Sequence, residues 1–137
     1  MPLIVTQPTT SATVAGLLRE DSEIAVWWGT WIECAVAISR LRREDSLDEE
    51  DQERTRSVLD LIAEVWTEIP PTSDIRLLAV LLSKDHPLKA ADALQLAAAL
   101  RWCEGDTRGT AFVCLDDRLR RAASTEGFRV LPEEAAE

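Results

Sequence analysis

The chain is poor in the residues on which many enzyme chemistries and most extracellular scaffolds depend. Its three cysteines, Cys34, Cys103 and Cys114, lie far apart. An odd number without paired spacing suits neither a disulfide framework nor a zinc site, and each sits in an apolar run, where a cysteine acts as a small buried hydrophobe. Five scattered glycines form neither the Rossmann nor the Walker phosphate loop. His86 is the only histidine and stands beside Pro87 in a helix-breaking turn, so it reads as structural or solvent-facing. With no nucleophile-elbow motif either, Ser/His/Asp and Cys/His schemes have no support. No apolar run reaches the roughly 18 residues that span a bilayer. Met1-Pro2-Leu3-Ile4-Val5 is too short, and lacks the basic flank, for a signal peptide, so a cytoplasmic location is expected. Positive charge is also scarce: 15 Lys and Arg against 25 Asp and Glu leave a net charge of −10, which repels a polyanion unless cations intervene. That balance argues against a simple nucleic-acid clamp.

What is present fits one domain. At 137 residues the chain can bury a core without staples, and it has no low-complexity tract or internal repeat. Four segments rich in β-branched or aromatic residues read as short strands: Glu23 to Trp28, Glu64 to Ile69, Thr110 to Leu115 and Phe128 to Leu131. Helical signals lie between them. Ser46-Leu47-Asp48-Glu49 is a capping box that predicts a helix to about Glu64, with Val58, Leu59, Ile62 and Val65 as its inward stripe and the acid run from Glu44 to Glu53 as a solvated start. Pro70-Pro71 ends the second strand, Thr72 or Ser73 caps the next helix, and Asp85-His86-Pro87 breaks it before another begins near Leu88. Gly105 stops that helix, and Gly127 closes the one that starts near Asp116. Strands alternating with helices predict a three-layer α/β/α domain with a central parallel sheet and ligand chemistry at the carboxyl ends of its strands.

Three acids stand out from the polar stretches. Asp92 lies in Ala90-Ala91-Asp92-Ala93-Leu94-Gln95-Leu96-Ala97-Ala98-Ala99-Leu100, apolar nearly all round, and Glu33 lies in Trp31-Ile32-Glu33-Cys34-Ala35-Val36-Ala37-Ile38, of the same character. Such helices are normally buried, and a lone carboxylate there is costly unless paired, protonated or metal-bound. No cation stands three or four residues from Glu33, whereas Lys89 stands three before Asp92 and leaves an internal ion pair open. Asp116 follows a strand at its carboxyl end and is placed to cap the next helix. Converging carboxylates suit Mg²⁺, a hard ion that keeps several waters and can activate one against a phosphoryl group. The five tryptophans, with Trp27, Trp28 and Trp31 in apolar segments, read mostly as core, though an edge could stack a base.

The run from His86 to Leu100, followed by Phe112-Val113-Cys114-Leu115-Asp116-Asp117-Arg118-Leu119, resembles the second half of a PIN domain of the VapC toxin type. Trp31 to Arg40 resembles the glutamate-bearing helix of that family. The resemblance implies a PIN-like fold, a Mg²⁺ or Mn²⁺ site at Glu33, Asp92 and Asp116 serving as catalytic and metal-ligating residues, and cleavage of RNA. It also implies a homodimer and inhibition by an antitoxin with a basic segment. Two departures stand against the pattern. The family's first strand ends in an aspartate, whereas no acid here precedes Glu20, and Leu3 to Thr10 looks like the segment after that strand. The expectation is therefore a single domain truncated at its N-terminus, without the first strand and its acid. Cys114 stands where the family often has threonine or serine. The alternatives are a non-catalytic PIN-like module that binds protein or RNA, and a structural domain in which Lys89 pairs with Asp92.

Overall fold

A computed structural model describes residues 3–5 and 24–133. In chain order these form β1 (Leu3–Val5), β2 (Ile24–Trp27), α1 (Thr30–Arg43), α2 (Glu49–Ala63), β3 (Thr67–Ile69), α3 (Ser73–Asp85), α4 (Ala90–Trp102), β4 (Ala111–Val113), α5 (Asp117–Thr125) and β5 (Arg129–Leu131). The strands make one sheet in the order β3-β2-β1-β4-β5, and every neighbouring pair is parallel. From β1 the order runs one way to β2 and β3 and the other way to β4 and β5. That reversal opens a crevice at the carboxyl ends of β1 and β4, the place where open parallel sheets bind their ligands.

The expectation that the first strand is missing is overturned. Leu3–Val5 is that strand: it lies at the centre of the sheet, with Leu3 opposite both Ile24 and Ala111 and Val5 opposite Val113. A central parallel strand is written as a plain apolar run, and three residues of it carry little signal. The missing acid had served as the position marker in the sequence, and the strand exists without it.

Both faces of the sheet are covered. Ile24 to Trp27 and Ala111 to Val113 are buried throughout, the pattern of parallel strands packed on two sides. Ala25, Trp27 and Phe112 face the main core, where Ile75, Leu82, Leu96, Leu119 and Phe128 meet them from α3, α4, α5 and the turn before β5. Ile24, Val26, Ala111 and Val113 face the other side, where Trp66 packs against them. Trp66 also touches the small core of Cys34, Ile38 and Leu59, which joins α1 to α2. The predicted α/β/α layering is therefore the observed one.

The helices correct several local readings. Asp48, not Ser46, caps α2, accepting the Asp51 amide at 2.7 Å. The Ser46 amide is engaged in ending α1, donating to Leu41 O at 2.9 Å. Of the expected α2 stripe only Leu59 is buried, while Val58 and Val65 are exposed, because α2 meets α1 along a narrow seam. α1 is apolar but one-sided: Cys34 and Ile38 are buried, Ile32 and Val36 exposed. Trp28 is not core; it lies past the end of β2 and is 56% exposed. α4 is as buried as expected, with Leu96, Ala97, Ala98 and Ala99 sealed completely. Thr72 caps α3, and Gly127 adopts the left-handed φ of +98° that turns the chain from α5 into β5.

Candidate functional site

Three helix starts supply the acids. Asp116 is the N-cap of α5, two residues beyond Cys114, and its Oδ1 accepts the Leu119 amide at 3.0 Å. One turn on, Arg120 donates to Cys114 O at 2.9 Å and to Pro132 O at 2.6 Å, so the ends of β4 and β5 are tied together beneath the cap. Glu33 lies in the first turn of α1, its amide donating to Gly29 O at 3.1 Å. Gly29 is small for a reason: a Cβ there would lie 2.7 Å from Nε1 of the Trp27 indole folded against it. Asp92 lies in the first turn of α4, which starts after Lys89 and the Pro87 break. His86, only 11% exposed at its side chain, is hydrogen-bonded to Glu126 at 3.2 Å, which ties the end of α3 to the end of α5. Its role is structural, as the sequence implied.

The parallel sheet puts the starts of α1 and α5 at the same edge, because each follows the carboxyl end of its strand. Asp92 completes the series. The Asp92 charge raises the Glu33 pKa and the Asp116 charge raises that of Asp92; in both, burial is the larger cause. The acids therefore form an electrostatic chain Glu33, Asp92, Asp116, with Asp92 in the middle. Lys89 lowers the Asp92 pKa but ranks behind burial and Asp116. No ion pair joins Lys89 to Asp92 among the described residues, so the salt-bridge reading of Asp92 loses its main support. The positive end of each helix dipole points at this edge and offsets part of the repulsion.

Among the described residues no three Asp, Glu, His or Cys side chains stand close enough to share one ion. The topology supplies the reason: β1 lies between β2 and β4, so elements hung from those two strands start about 10 Å apart, two strand spacings. The residues after Val5, Thr6-Gln7-Pro8, include no acid and lie outside the described residues. Mg²⁺ nevertheless asks little of a protein, often one or two carboxylates with the rest of its shell left to water. Oxygen donors that repel one another across a half-buried edge fit such an ion in their chemistry. Glu33 and Asp92 could hold it, and the Asp116 charge, which acts on Asp92, would add to its attraction.

Two polar groups beside the acids went unnoticed in the sequence. Gln95, buried in α4 one turn after Asp92, donates from Nε2 to Glu33 Oε2 at 2.7 Å, and this bond lowers the Glu33 pKa against the two causes that raise it. Thr30, buried in the first turn of α1, has a hydroxyl without a hydrogen-bond partner among the described residues, as does Gln95 Oε1. The available signal was Gln95 itself, the one polar residue between Asp92 and Leu100 in an otherwise apolar helix.

No protein-family model matches the chain, and no curated protein sequence matches it. Solved structures do match over almost its whole length. FitAB bound to an IR36 DNA fragment aligns with a TM-score of 0.62 at 14% identity, over 96% of this chain and 94% of that one. PAE2754 from Pyrobaculum aerophilum aligns with a TM-score of 0.63 at 16% identity, over 96% and 90%. VapBC2 from Rickettsia felis, bound to a DNA fragment from its promoter, aligns with a TM-score of 0.60 at 14% identity, over 95% and 97%. Together with the strand order and the covered sheet, these matches establish that the chain has a PIN-like α/β fold.

Proposed function

We propose that the chain is a Mg²⁺- or Mn²⁺-dependent ribonuclease, the toxin of a type II toxin-antitoxin pair, with Glu33, Asp92 and Asp116 as its metal-holding and catalytic acids. The observation that carries the reading is the chain of mutually repelling carboxylates at the carboxyl edge of the sheet, beside the topological switch point. Such an edge is unfavourable for stability and useful for binding a cation. Glu33 and Asp92 would hold the ion, and Asp116, with one oxygen committed to the α5 cap, would act at longer range. A bound Mg²⁺ or Mn²⁺ supplies Lewis acidity toward a phosphodiester. Burial and mutual repulsion raise the pKa values of Glu33 and Asp92 in the cation-free protein, and a cation held between the two carboxylates would offset both causes.

The fold shared with FitAB and VapBC2 supports a toxin-antitoxin setting, and the proposal includes a cytoplasmic location and a homodimer. A net charge of −10 supports an antitoxin whose basic segment neutralises the acidic edge. The test is cleavage of structured and single-stranded RNAs across Mg²⁺ and Mn²⁺ titrations, with Asp92→Asn as the control. Metal-dependent cleavage lost in Asp92→Asn supports the reading; cleavage without metal, or undiminished in the variant, contradicts it.

One observation favours a second reading, a PIN-like module that binds a partner without catalysis. The described acids do not gather into one ligand set. That module would bind the basic partner and leave every RNA intact at all metal concentrations.

A further inference from the structure

We infer that Gln95 is a positioning residue of the acidic site: its buried amide holds the Glu33 carboxylate in the orientation in which it meets a divalent cation. The inference rests on the proposed function. Gln95 is 1% exposed, on a helix whose Ala93, Leu96 and Ala99 belong to the main core. Its hydrogen bond from Nε2 to Glu33 Oε2, at 2.7 Å, spans 62 positions in sequence and joins α4 to α1, the helices that carry Asp92 and Glu33. Gln95 stands three residues after Asp92 and so shares its face of α4.

Stability does not account for the amide. Its carbonyl oxygen is buried without a partner among the described residues, and an unsatisfied buried acceptor bears its full desolvation cost. Methionine has nearly the same length and volume, adapts to irregular packing, and carries no such penalty. What methionine lacks is the donor. A carboxylate at the end of a flexible side chain samples several rotamers, and a single bond from a donor locked in the core restricts it to one. The bond engages one carboxylate oxygen and leaves the other for a ligand. This is how a residue that never touches the ion raises its affinity.

The experiment compares wild-type protein with Gln95→Met, Glu33→Gln, their double variant and Asp92→Asn. Thermal unfolding without metal and Mn²⁺ affinity, from the paramagnetic resonance of free Mn²⁺, are the readouts. Gln95→Met is expected to melt at or above the wild-type temperature and to bind Mn²⁺ about tenfold more weakly. In the Glu33→Gln background the same substitution is expected to change the affinity no further, because the carboxylate it acts on is gone. Wild-type affinity in Gln95→Met overturns the inference and leaves the proposed function standing, as does an equal loss in both backgrounds. Wild-type protein that takes up no Mn²⁺, or an Asp92→Asn protein that takes it up equally, overturns the proposed function and the positioning role with it. Gln95→Leu provides a second apolar variant; loss of folding in both makes the amide a stability device and also overturns the inference.

Discussion

Asp116 combines two functions that substitution can separate. Its Oδ1 caps α5 by accepting the Leu119 amide, and its charge acts on Asp92. Asp116→Ala removes both, whereas Asp116→Asn keeps a capping oxygen and removes the charge. Loss of an aspartate cap costs about 1 kcal/mol, with a range of about 0.5–2. For 137 residues an unfolding entropy of about 2.1 cal/mol/K per residue gives about 0.3 kcal/mol/K in all, so the alanine variant should melt about 3 °C lower. The asparagine variant should fall by less than about 1 °C, because Asn and Asp cap about equally well and the lost charge no longer repels Asp92. Thermal unfolding by circular dichroism at neutral pH and low salt measures the first effect; carbon-detected NMR titration of the Asp92 carboxyl measures the second. Both variants should lower the Asp92 pKa, and only alanine should lower the melting temperature appreciably. Equal destabilisation by both, or an Asp92 titration unmoved in both, would refute the assignment of cap and charge to one side chain.

Other consequences can be measured alongside. Glu33 and Asp92 have folded-state pKa values raised above their ordinary 4.5 and 3.8, so the stability they contribute is fully present below those ordinary values and lost as pH rises through the raised ones. Acidification from neutral pH should therefore stabilise wild-type protein relative to a Glu33→Gln/Asp92→Asn double variant, and denaturant melts that stay parallel with pH would contradict this. Gly29→Ala sets a Cβ 2.7 Å from Nε1 of the Trp27 indole and should cost about 1–3 kcal/mol, with an altered near-ultraviolet dichroism of the tryptophans; an unchanged spectrum and stability would refute the close packing. Phe112→Ala empties a fully buried site 5.4 Å from the Phe128 ring and should cost about 3–5 kcal/mol in urea unfolding, a loss below about 1 kcal/mol being incompatible with that burial. Burial and the Glu33 charge push the Cys34 thiol up to about 11, so Cys34 should resist iodoacetamide at about pH 8 by mass spectrometry while the protein is folded.

The sequence spoke most clearly where one physical signal dominated. The alanine-rich α4 read as buried because it is apolar nearly all round, and Asp116 read as a cap because an aspartate between a strand and a helix has few other uses. Helix starts set by Thr72 and the turn at Gly127 were legible for the same reason. The strand Leu3–Val5 was not: it carries too few residues to show a period, and only its pairing with β2 and β4 identifies it as the central strand, whereas the equally short β3, β4 and β5 lie within longer segments that the sequence marked. The cap at Asp48 was misplaced onto Ser46 because the sequence does not show that the Ser46 amide is used in closing the preceding helix. At the site, Glu33, Asp92 and Asp116 could each be named, yet their order along the sheet edge depends on β1 lying between β2 and β4. Gln95 escaped notice because a glutamine in an apolar helix is informative only once the carboxylate it faces, 62 positions away, is known.

The central claim is that these three acids form one cation-binding edge, and the most direct measurement is anomalous diffraction from crystals soaked in MnCl₂. The expected result is a Mn²⁺ peak at the carboxyl edge of the sheet, bonded to Glu33 or Asp92, with Asp116 turned toward its water shell and the peak absent from Asp92→Asn crystals. A peak held by other residues, or none at Mn²⁺ concentrations that saturate ordinary carboxylate sites, would contradict it.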